Sequence, residues 1–375
     1  MTRLDASEAL DLLRHEELLV LGQRADAVCR GLHGDSIRTF AVDRNINYTN
    51  VCTSHCRFCA FYRLSGSTDG YVLPDEELFA KITEAVSRGA THILMQGGLH
   101  AGLGLEFAEG LLGRIRRRFD VHLHCFSPPE IVHFARQADL DARTVLSRLR
   151  DAGLGSLPGG GAEILCDRVR QRVSPNKCSA DKWLAVMRAA HELGMRTTAT
   201  MMFGHAESLE ERVEHLERLR QLQDTTGGFT AFICWPFQGT GTALGADLAA
   251  GTESAPWSRD GRWHAAGAED YLRTLAISRL YLDNFEHVQA SWVTMGPKIG
   301  QVSLRFGADD LGSTMMEENV VRATGVAHRQ SREQLVGLIA DAGFEPQQRD
   351  CLYTRTWPAS PAATSGESPC PTGKN

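Results

Sequence analysis

The chain has 375 residues, 42% of them hydrophobic, and a formal net charge of −6. This is the composition of an ordinary globular protein with a large core, and the acidic excess argues against nucleic acid as the main partner. No apolar run of about eighteen residues predicts a membrane span, and the start lacks the apolar core of a signal peptide. Ten cysteines are too few for a disulfide-stapled secreted domain, so we expect reduced thiols and a cytoplasmic location.

Strand-like and helix-like segments alternate along the chain. Residues 4–32 predict two short helices. The predicted strands, mostly apolar and rich in β-branched residues or Thr, are Thr39–Asn47, Thr91–Gln96, Val121–Ser127, Leu154–Pro158, Met195–Phe203, Phe229–Pro236, Val288–Val293 and Ala308–Gly312. Predicted helices between and after them include Pro74–Gly89, Leu209–Thr225 and Arg332–Ala342, the last two opened by capping boxes. Eight such β-then-α units predict an α/β fold, a (β/α)8 TIM-type barrel rather than an open doubly wound sheet.

Three regions follow from this pattern: an N-terminal helical extension over residues 1–34, the barrel over 35–357, and a small, polar, Pro-rich tail over 358–375 that we expect to be disordered. Residues 245–268 read as a long surface loop, a candidate cover for an active site.

Three cysteines, Cys52, Cys56 and Cys59, follow the first predicted strand with the spacing C-x3-C-x2-C. Structural zinc sites take four protein ligands, and electron-transfer [4Fe-4S] centres usually take four cysteines. The flanking cysteines, Cys29 and Cys125, lie far away in the sequence. The pattern therefore favours a cluster with one iron open to a small molecule. A Cys3His zinc site that includes His55, or a pure electron carrier, stays an alternative.

Polar and glycine-rich turns follow the other predicted strands, at the end of a barrel where active sites form. These turns contain Gln96, Gly97 and Gly98; His122, His124 and Ser127; Gly159 to Glu163; Gly204 to Glu207; and Gln238. Each has a plainer interpretation, as a tight turn or a structural histidine. Together, however, they place many polar groups around the open cluster site.

The cysteine motif, with the aromatic Phe58 just before Cys59, resembles the radical S-adenosylmethionine (SAM) superfamily. The resemblance implies one [4Fe-4S] cluster on the three thiolates, with SAM chelating the fourth iron and yielding a 5′-deoxyadenosyl radical on reduction. Gln96, Gly97 and Gly98 match the family's glycine motif, although Leu99 stands where an acidic residue is usual. Glu163 and Arg170 occupy positions where relatives hold the amino acid or ribose of SAM.

A narrower resemblance covers about Asp35 to Asp350, in ordered blocks such as I-L-M-Q-G-G-L-H, L-P-G-G-G-A-E-I-L and Q-A-S-W-V-T-M-G-P-K. These blocks are similar to the dehypoxanthine futalosine cyclase family of menaquinone biosynthesis. Aminofutalosine synthases and the deazaflavin (FO) synthase subunits are the alternatives. The departures are Cys125, where a small apolar residue is expected, and the longer 245–268 loop.

The narrower resemblance implies a reaction and its partners. The radical removes the hydrogen at ribose C4′ of dehypoxanthine futalosine, the carbon radical adds to the benzoate ring, and loss of one electron and one proton restores aromaticity. His205, Glu207 and His124 are the candidate proton acceptors, and the sequence does not choose among them. A flavodoxin or ferredoxin is the expected electron donor.

Overall fold

The computed structural model describes residues 3–258 and 260–359. Its strands are β1 Ile37–Ala41, β2 Asp43–Asn47, β3 His92–Gln96, β4 His122–Cys125, β5 Ser156–Leu157, β6 Arg196–Phe203, β7 Phe229–Pro236, β8 His287–Gln289, β9 Asp310–Ser313, β10 Glu345–Arg349 and β11 Thr356–Pro358. Its helices are α1 Ala6–His15, α2 Leu18–His33, α3 Asp75–Ser87, α4 Leu105–Arg116, α5 Pro128–Ala138, α6 Ala142–Ala152, α7 Asp167–Val173, α8 Ala180–Glu192, α9 Leu209–Thr226, α10 Ala243–Ala249, α11 Ala268–Tyr281, α12 Trp292–Met295, α13 Pro297–Ser303 and α14 Arg332–Asp341.

The strands form one curled sheet that is parallel except for the β10–β11 pair. β2 pairs with β3, and the order continues through β4, β5, β6, β7, β8 and β9 to β1. The first and last strands of this series, β2 and β1, are consecutive in the sequence, with only Val42 between them. The eight-unit barrel is therefore confirmed, with β10 added beside β1.

The ends of the chain add to this barrel. α2 packs on α11, and α1 lies against α9 and α11, with Ala9, Leu13 and Leu21 buried. The tail that the sequence predicts to be disordered lies, from residue 360 onward, outside the described residues. No helix in the described part of the chain is both long and apolar enough to cross a membrane.

Two sequence predictions need correction. The strand predicted over Val288–Val293 ends at Gln289, because the chain turns at Ser291 into the short helix α12. The strands β10 and β11 were not predicted. The sequence of β10, E-P-Q-Q-R, has no apolar alternation, and its pairing with β1 supplies the hydrogen bonds that make it a strand.

The interior of the barrel carries several polar side chains on an otherwise largely apolar surface. On β2, Asp43, Asn45 and Asn47 line the interior. On β3, Ile93 and Met95 are fully buried in the hydrophobic core, whereas the alternate residue His92 lines the interior. A strand in an ordinary packed barrel would place apolar side chains on both faces. The lumen therefore offers polar groups at a few positions within a mainly apolar wall.

Candidate active site

A cavity of about 420 Å³ begins at the cysteine loop and continues into the barrel. Its volume lies within the usual range for small-molecule sites. Side chains from β2, β3, β4, β6, β7 and β8 line it, together with all three cysteines of the motif. One space thus joins the thiols to the lumen.

Backbone hydrogen bonds hold the cysteine loop over this cavity. Cys52 N–H donates to the carbonyl of Arg63, and Thr53 N–H donates to that of Leu99. The N–H groups of Ser54 and Leu99 also point at Cys52 Sγ, at 3.4 and 3.2 Å. Burial raises the pKa of the Cys56 thiol to about 11. Backbone donors aimed at a thiol are the surroundings that stabilise a metal-bound thiolate.

The zinc alternative finds no support in this geometry. The His55 ring stacks on Tyr62, with 5.6 Å between ring centroids. Within the described residues, three possible metal ligands come within 4.8 Å of one another at His33, His287 and Asp309. The sulfur atoms of Cys52, Cys56 and Cys59 are not that close together. Ligand sulfurs around one zinc ion would lie within about 4 Å of one another, given Zn–S bonds of about 2.3 Å.

The turn after β3 brings bare backbone to the cavity. A Cβ on Gly97 would lie 2.5 Å from the Tyr48 ring, and one on Gly98 would lie 2.3 Å from the carbonyl oxygen of Val51. Only glycine fits at either position. Gly97 N–H donates to the buried carboxylate of Glu130 at 3.0 Å, which fixes the turn. Gln96, Gly97 and Gly98 all line the cavity.

Glu163 reaches the cavity from the glycine-rich turn after β5. It adopts a left-handed backbone (φ 43°), uncommon for a residue with a side chain. Its Oε1 accepts a hydrogen bond of 2.7 Å from Lys177 Nζ, whereas its buried Oε2 has no hydrogen-bond partner among the described residues. This Oε2 lies 3.7 Å from Arg170 Nη1, and the Glu163 side chain lines the cavity, where a carboxylate with unused hydrogen-bonding capacity can accept from a ligand N–H group.

Lys177 was missed by the sequence analysis. Its ammonium contacts Glu163 and lies 5.0 Å from the centroid of the Phe58 ring. Burial would lower the pKa of Lys177, but Cys56 and Glu163 together hold it above its ordinary value. No sequence motif marks this lysine, because only the fold brings the 174–178 segment against the cysteine loop.

Arg170 does not line the cavity, contrary to the sequence prediction of a direct contact with SAM. Its guanidinium donates to the carbonyls of Gly161 and Ala162, at 3.1 and 2.6 Å, and to that of Cys178. All three acceptors are backbone atoms. Arg170 therefore fixes the turn that carries Glu163.

The candidate proton acceptors separate clearly in space. His124 lines the cavity from β4. His205 and Glu207 lie in the turn after β6, are fully buried, and do not line the cavity. His205 Nδ1 accepts from Ala206 N–H at 2.7 Å, and Nε2 lies 2.9 Å from the carbonyl oxygen of Met202. Both ring nitrogens are therefore occupied.

Glu207 completes that buried turn. It accepts from the N–H groups of Gly204 and His205 and from Arg212 Nε, at 2.6, 2.9 and 2.9 Å. Burial alone would raise its pKa, but these partners hold the pKa below its usual value. The polar side-chain atoms of His205 and Glu207 are thus hydrogen-bonded within the protein, and neither residue lines the cavity.

The 245–268 segment, the predicted cover, lies over the same turn. It begins inside α10, and no described residue between 250 and 267 lines the cavity. The indole N–H of Trp257 donates to the carbonyl of His205, and that of Trp263 to the carbonyl of Gly204. The segment therefore covers the turn after β6.

The donor set of the cavity fits a [4Fe-4S] cluster with SAM. Three thiols are available, bare backbone lies beside them at Gly97 and Gly98, and Glu163, whose Oε2 accepts no hydrogen bond from the described residues, lines the same space. An ammonium group such as that of an amino acid would satisfy this oxygen.

Comparisons with known proteins agree with this chemistry. The radical SAM superfamily model matches residues 46–219, and the CofH/MqnC C-terminal region model matches residues 226–361. The cyclic dehypoxanthine futalosine synthase of Halalkalibacterium halodurans is 43% identical over 94% of this chain and 91% of its own length. The 5-amino-6-(D-ribitylamino)uracil–L-tyrosine 4-hydroxyphenyl transferase of Methanothermobacter thermautotrophicus is 42% identical (90% and 89%).

Two further proteins extend the comparison. The aminodeoxyfutalosine synthase of Thermus thermophilus is 38% identical over 95% of this chain and 93% of its own length. The crystal structure of methylornithine synthase shares the fold, with a TM-score of 0.68 at 16% identity, covering 92% and 94% of the two chains. The chain therefore belongs to the radical SAM superfamily, whose cofactors are a [4Fe-4S] cluster and SAM, in the branch that carries the CofH/MqnC C-terminal region.

Proposed function

We propose that this enzyme cyclises dehypoxanthine futalosine to cyclic dehypoxanthine futalosine, a step of menaquinone biosynthesis. The observation that carries the proposal is a continuous cavity from three cysteines into the barrel, whose wall contains both apolar side chains and a histidine, His124. The high identity to a synthase of that name over nearly the full length supports the choice of substrate. Aminofutalosine synthesis is the second candidate, supported by the likeness to the Thermus enzyme.

In this proposal Cys52, Cys56 and Cys59 hold the cluster, which with bound SAM supplies a 5′-deoxyadenosyl radical. The N–H groups directed at Cys52 Sγ stabilise negative charge on that ligand. The backbone of Gly97 and Gly98, next to Gln96, accommodates the amino acid part of SAM.

Glu163 would contribute its Oε2 to the amino group of SAM, while Lys177 neutralises the other oxygen. A hydrogen bond between ionised groups in a buried site is among the stronger ones. Phe58, which lies next to the Lys177 ammonium, closes the side of the cavity near the cysteines. These groups fix the position of SAM before the substrate arrives.

The lumen would hold the substrate below SAM. Asn45 lines it with a buried Oδ1 that has no hydrogen-bond partner among the described residues. A ribose hydroxyl could donate to this oxygen and remove the cost of leaving it unsatisfied. Trp235 and Ile233 on β7 supply apolar surface for an aromatic ring. The barrel wall keeps water away from the carbon radical.

His124 would take the proton when the ring regains aromaticity. Burial, with His92, His122 and Arg349 nearby, holds its pKa well below the ordinary value, so the imidazole is neutral and able to accept. Of the three candidates it is the one that lines the cavity. We also propose a flavodoxin or ferredoxin as electron donor, and a cytoplasmic location, in keeping with the nine described cysteines being free thiols.

The test is a side-by-side assay of anaerobically reconstituted protein with reductant and SAM. Three substrates are offered in separate reactions. The first is dehypoxanthine futalosine, the second is the substrate of aminofutalosine synthase, and the third is tyrosine together with 5-amino-6-(D-ribitylamino)uracil. We expect 5′-deoxyadenosine and a cyclised product from the first alone. Product from either other substrate, with none from the first, would refute the proposed substrate.

Two measurements address the other classes of function. Metal analysis should find about four irons and four sulfides per chain and no stoichiometric zinc. SAM should perturb the EPR spectrum of the reduced cluster, and a spectrum insensitive to SAM would favour a plain electron carrier.

A further inference from the structure

Below the cavity, three side chains form a continuous hydrogen-bonded chain. His124 Nδ1 lies 2.6 Å from Ser156 Oγ, and His122 Nε2 lies 2.7 Å from the same oxygen. Strand pairing fixes this arrangement, because His124 on β4 is the register partner of Ser156 on β5. His122 precedes His124 by two residues, so both rings lie on one face of the strand.

The two ends of this chain face different surroundings. His124 lines the cavity, and its Nε2 makes no hydrogen bond to any described residue. His122 starts β4, does not line the cavity, and is partly exposed. Its exposed part therefore belongs to the end of the barrel opposite the cysteines. Ser156, between them, is fully buried.

We propose that His124, Ser156 and His122 form a proton relay that carries the proton released by the substrate ring out through the floor of the barrel. This inference rests on the proposed function, in which His124 receives that proton. His124 is then the catalytic residue, because it meets the substrate, and Ser156 and His122 act through it.

The proton balance requires no further group. When the ring C–H bond breaks, its electron pair would complete the aromatic system and the proton would bind His124 Nε2, while a cluster held by Cys52, Cys56 and Cys59 would supply the acceptor for the unpaired electron. His124 Nδ1–H then donates its proton to Ser156 Oγ, and the Ser156 hydroxyl proton passes to His122 Nε2. His122 releases its Nδ1 proton to water. One proton enters and one leaves.

Charges around the relay favour onward transfer. His124 faces His92 from β3 and Arg349 from β10, both of which disfavour a positive imidazole. His122 faces His92 and Arg116, and Asp350 on the opposite side favours its protonated form. Cys351 approaches Ser156 Oγ only to 3.8 Å. A proton on His124 is therefore unstable where it arrives, and has one hydrogen-bonded route away.

The variant that tests the relay is Ser156→Ala, which removes the middle hydroxyl and leaves both histidines. We expect at least a tenfold fall in cyclised product per 5′-deoxyadenosine, since a general base contributes about 10²-fold or more. Deuterium transfer from C4′-labelled substrate into 5′-deoxyadenosine should persist. Ser156→Thr should restore the product ratio, and Ser278→Ala, which removes a buried hydroxyl on α11, should leave it unchanged.

A second variant and a readout without turnover complete the test. His122→Gln, at the partly exposed end, should lower the product ratio in the same way and flatten its dependence on pH. In histidine-labelled protein without substrate, NMR should show hydrogen-bonded Nδ1 of His124 and Nε2 of His122, both lost together in Ser156→Ala. Uncoupled imidazole signals, or a wild-type product ratio in both variants, would overturn the relay. Failure of wild-type protein to make cyclised product, with the NMR coupling present, would instead refute the proposed substrate.

Discussion

The cysteine loop after β2 and the turn Gly204–Glu207 after β6 occupy equivalent places in the barrel, and both are rich in polar atoms. In the cysteine loop three thiols face the cavity, and the neighbouring Glu163 keeps an oxygen without a hydrogen-bond partner among the described residues. In the second turn, His205 and Glu207 direct their polar atoms to partners within the protein. Polar residues after a strand therefore indicate a ligand site only where hydrogen-bonding capacity is left unused.

The cover over each turn explains the difference. Trp257 and Trp263 cap the carbonyls of the β6 turn with their indole N–H groups, and neither the tryptophans nor the turn line the cavity. In the cysteine loop the Asn176 amide donates to the carbonyl of Ser54, but the three thiols still line the cavity. Substitutions in the cysteine loop should consequently reduce catalysis, whereas substitutions in the β6 turn should reduce the free energy of unfolding.

Cysteine substitution should have the largest effect. Cys59→Ala removes one of three ligands to the cluster, so we expect loss of most bound iron and at least a thousandfold fall in 5′-deoxyadenosine formation, because SAM cleavage needs the cluster. Iron analysis and a single-turnover assay measure this. Cys166→Ser is the matched control, because Cys166 is also partly exposed but does not line the cavity. Retention of iron by Cys59→Ala would contradict the assignment.

Glu207→Gln should affect stability instead of chemistry. Removing the charge leaves the Arg212 guanidinium buried without its carboxylate, which costs about 3–5 kcal/mol of unfolding free energy. Denaturant unfolding of the reconstituted protein measures the loss. Glu210→Gln, at an exposed position on α9, should change stability by less than about 1 kcal/mol. A stable Glu207→Gln protein with impaired deoxyadenosine formation would show that the β6 turn takes part in catalysis.

Glu163→Gln should weaken SAM binding, since a neutral amide replaces the carboxylate that would receive the SAM amino group. Loss of a charge-assisted hydrogen bond of about 1.5–3 kcal/mol corresponds to a dissociation constant raised by about 10- to 100-fold. Titration of the reduced cluster with SAM, followed by EPR, gives that constant. Asp167→Asn, a nearby acid that does not line the cavity, serves as the control. Unchanged affinity in Glu163→Gln would remove Glu163 from the SAM site.

The sequence predicted the parts of this site that depend on local pattern. The apolar run of β7 matched the prediction from Phe229 to Pro236, and the cysteine motif is contained in eight residues. Lys177 was missed because it meets Glu163 only through the fold, fourteen residues later in the chain. The choice among His124, His205 and Glu207 was likewise open, because residue type does not reveal which hydrogen-bonding atoms are already used.

The smallest predicted effect concerns pH and a histidine that, like His205, has both ring nitrogens engaged. His191 lies 2.7 Å from Thr226 Oγ1 and 2.8 Å from Thr197 Oγ1. Burial, with Arg196 and Arg188 nearby, lowers its pKa to about 4. The unfolded chain, with a histidine pKa near 6.5, binds this proton more readily than the folded protein, so stability is complete above about pH 6.5 and falls as the pH drops toward 4.

Between pH 7.5 and pH 5 this one group should cost about 2 kcal/mol of unfolding free energy. His191→Gln should remove that part of the acid destabilisation while lowering stability at pH 7.5 by about 1 kcal/mol through weaker hydrogen bonds. Denaturant unfolding at the two pH values, in wild type and variant, gives the difference directly. An unchanged pH slope would mean that His191 takes up a proton as readily in the folded protein as in the unfolded chain. A ring nitrogen that is hydrogen-bonded to a threonine hydroxyl would then still be open to a proton, and the argument that His205 is unavailable to a substrate would have to be tested at His205 itself.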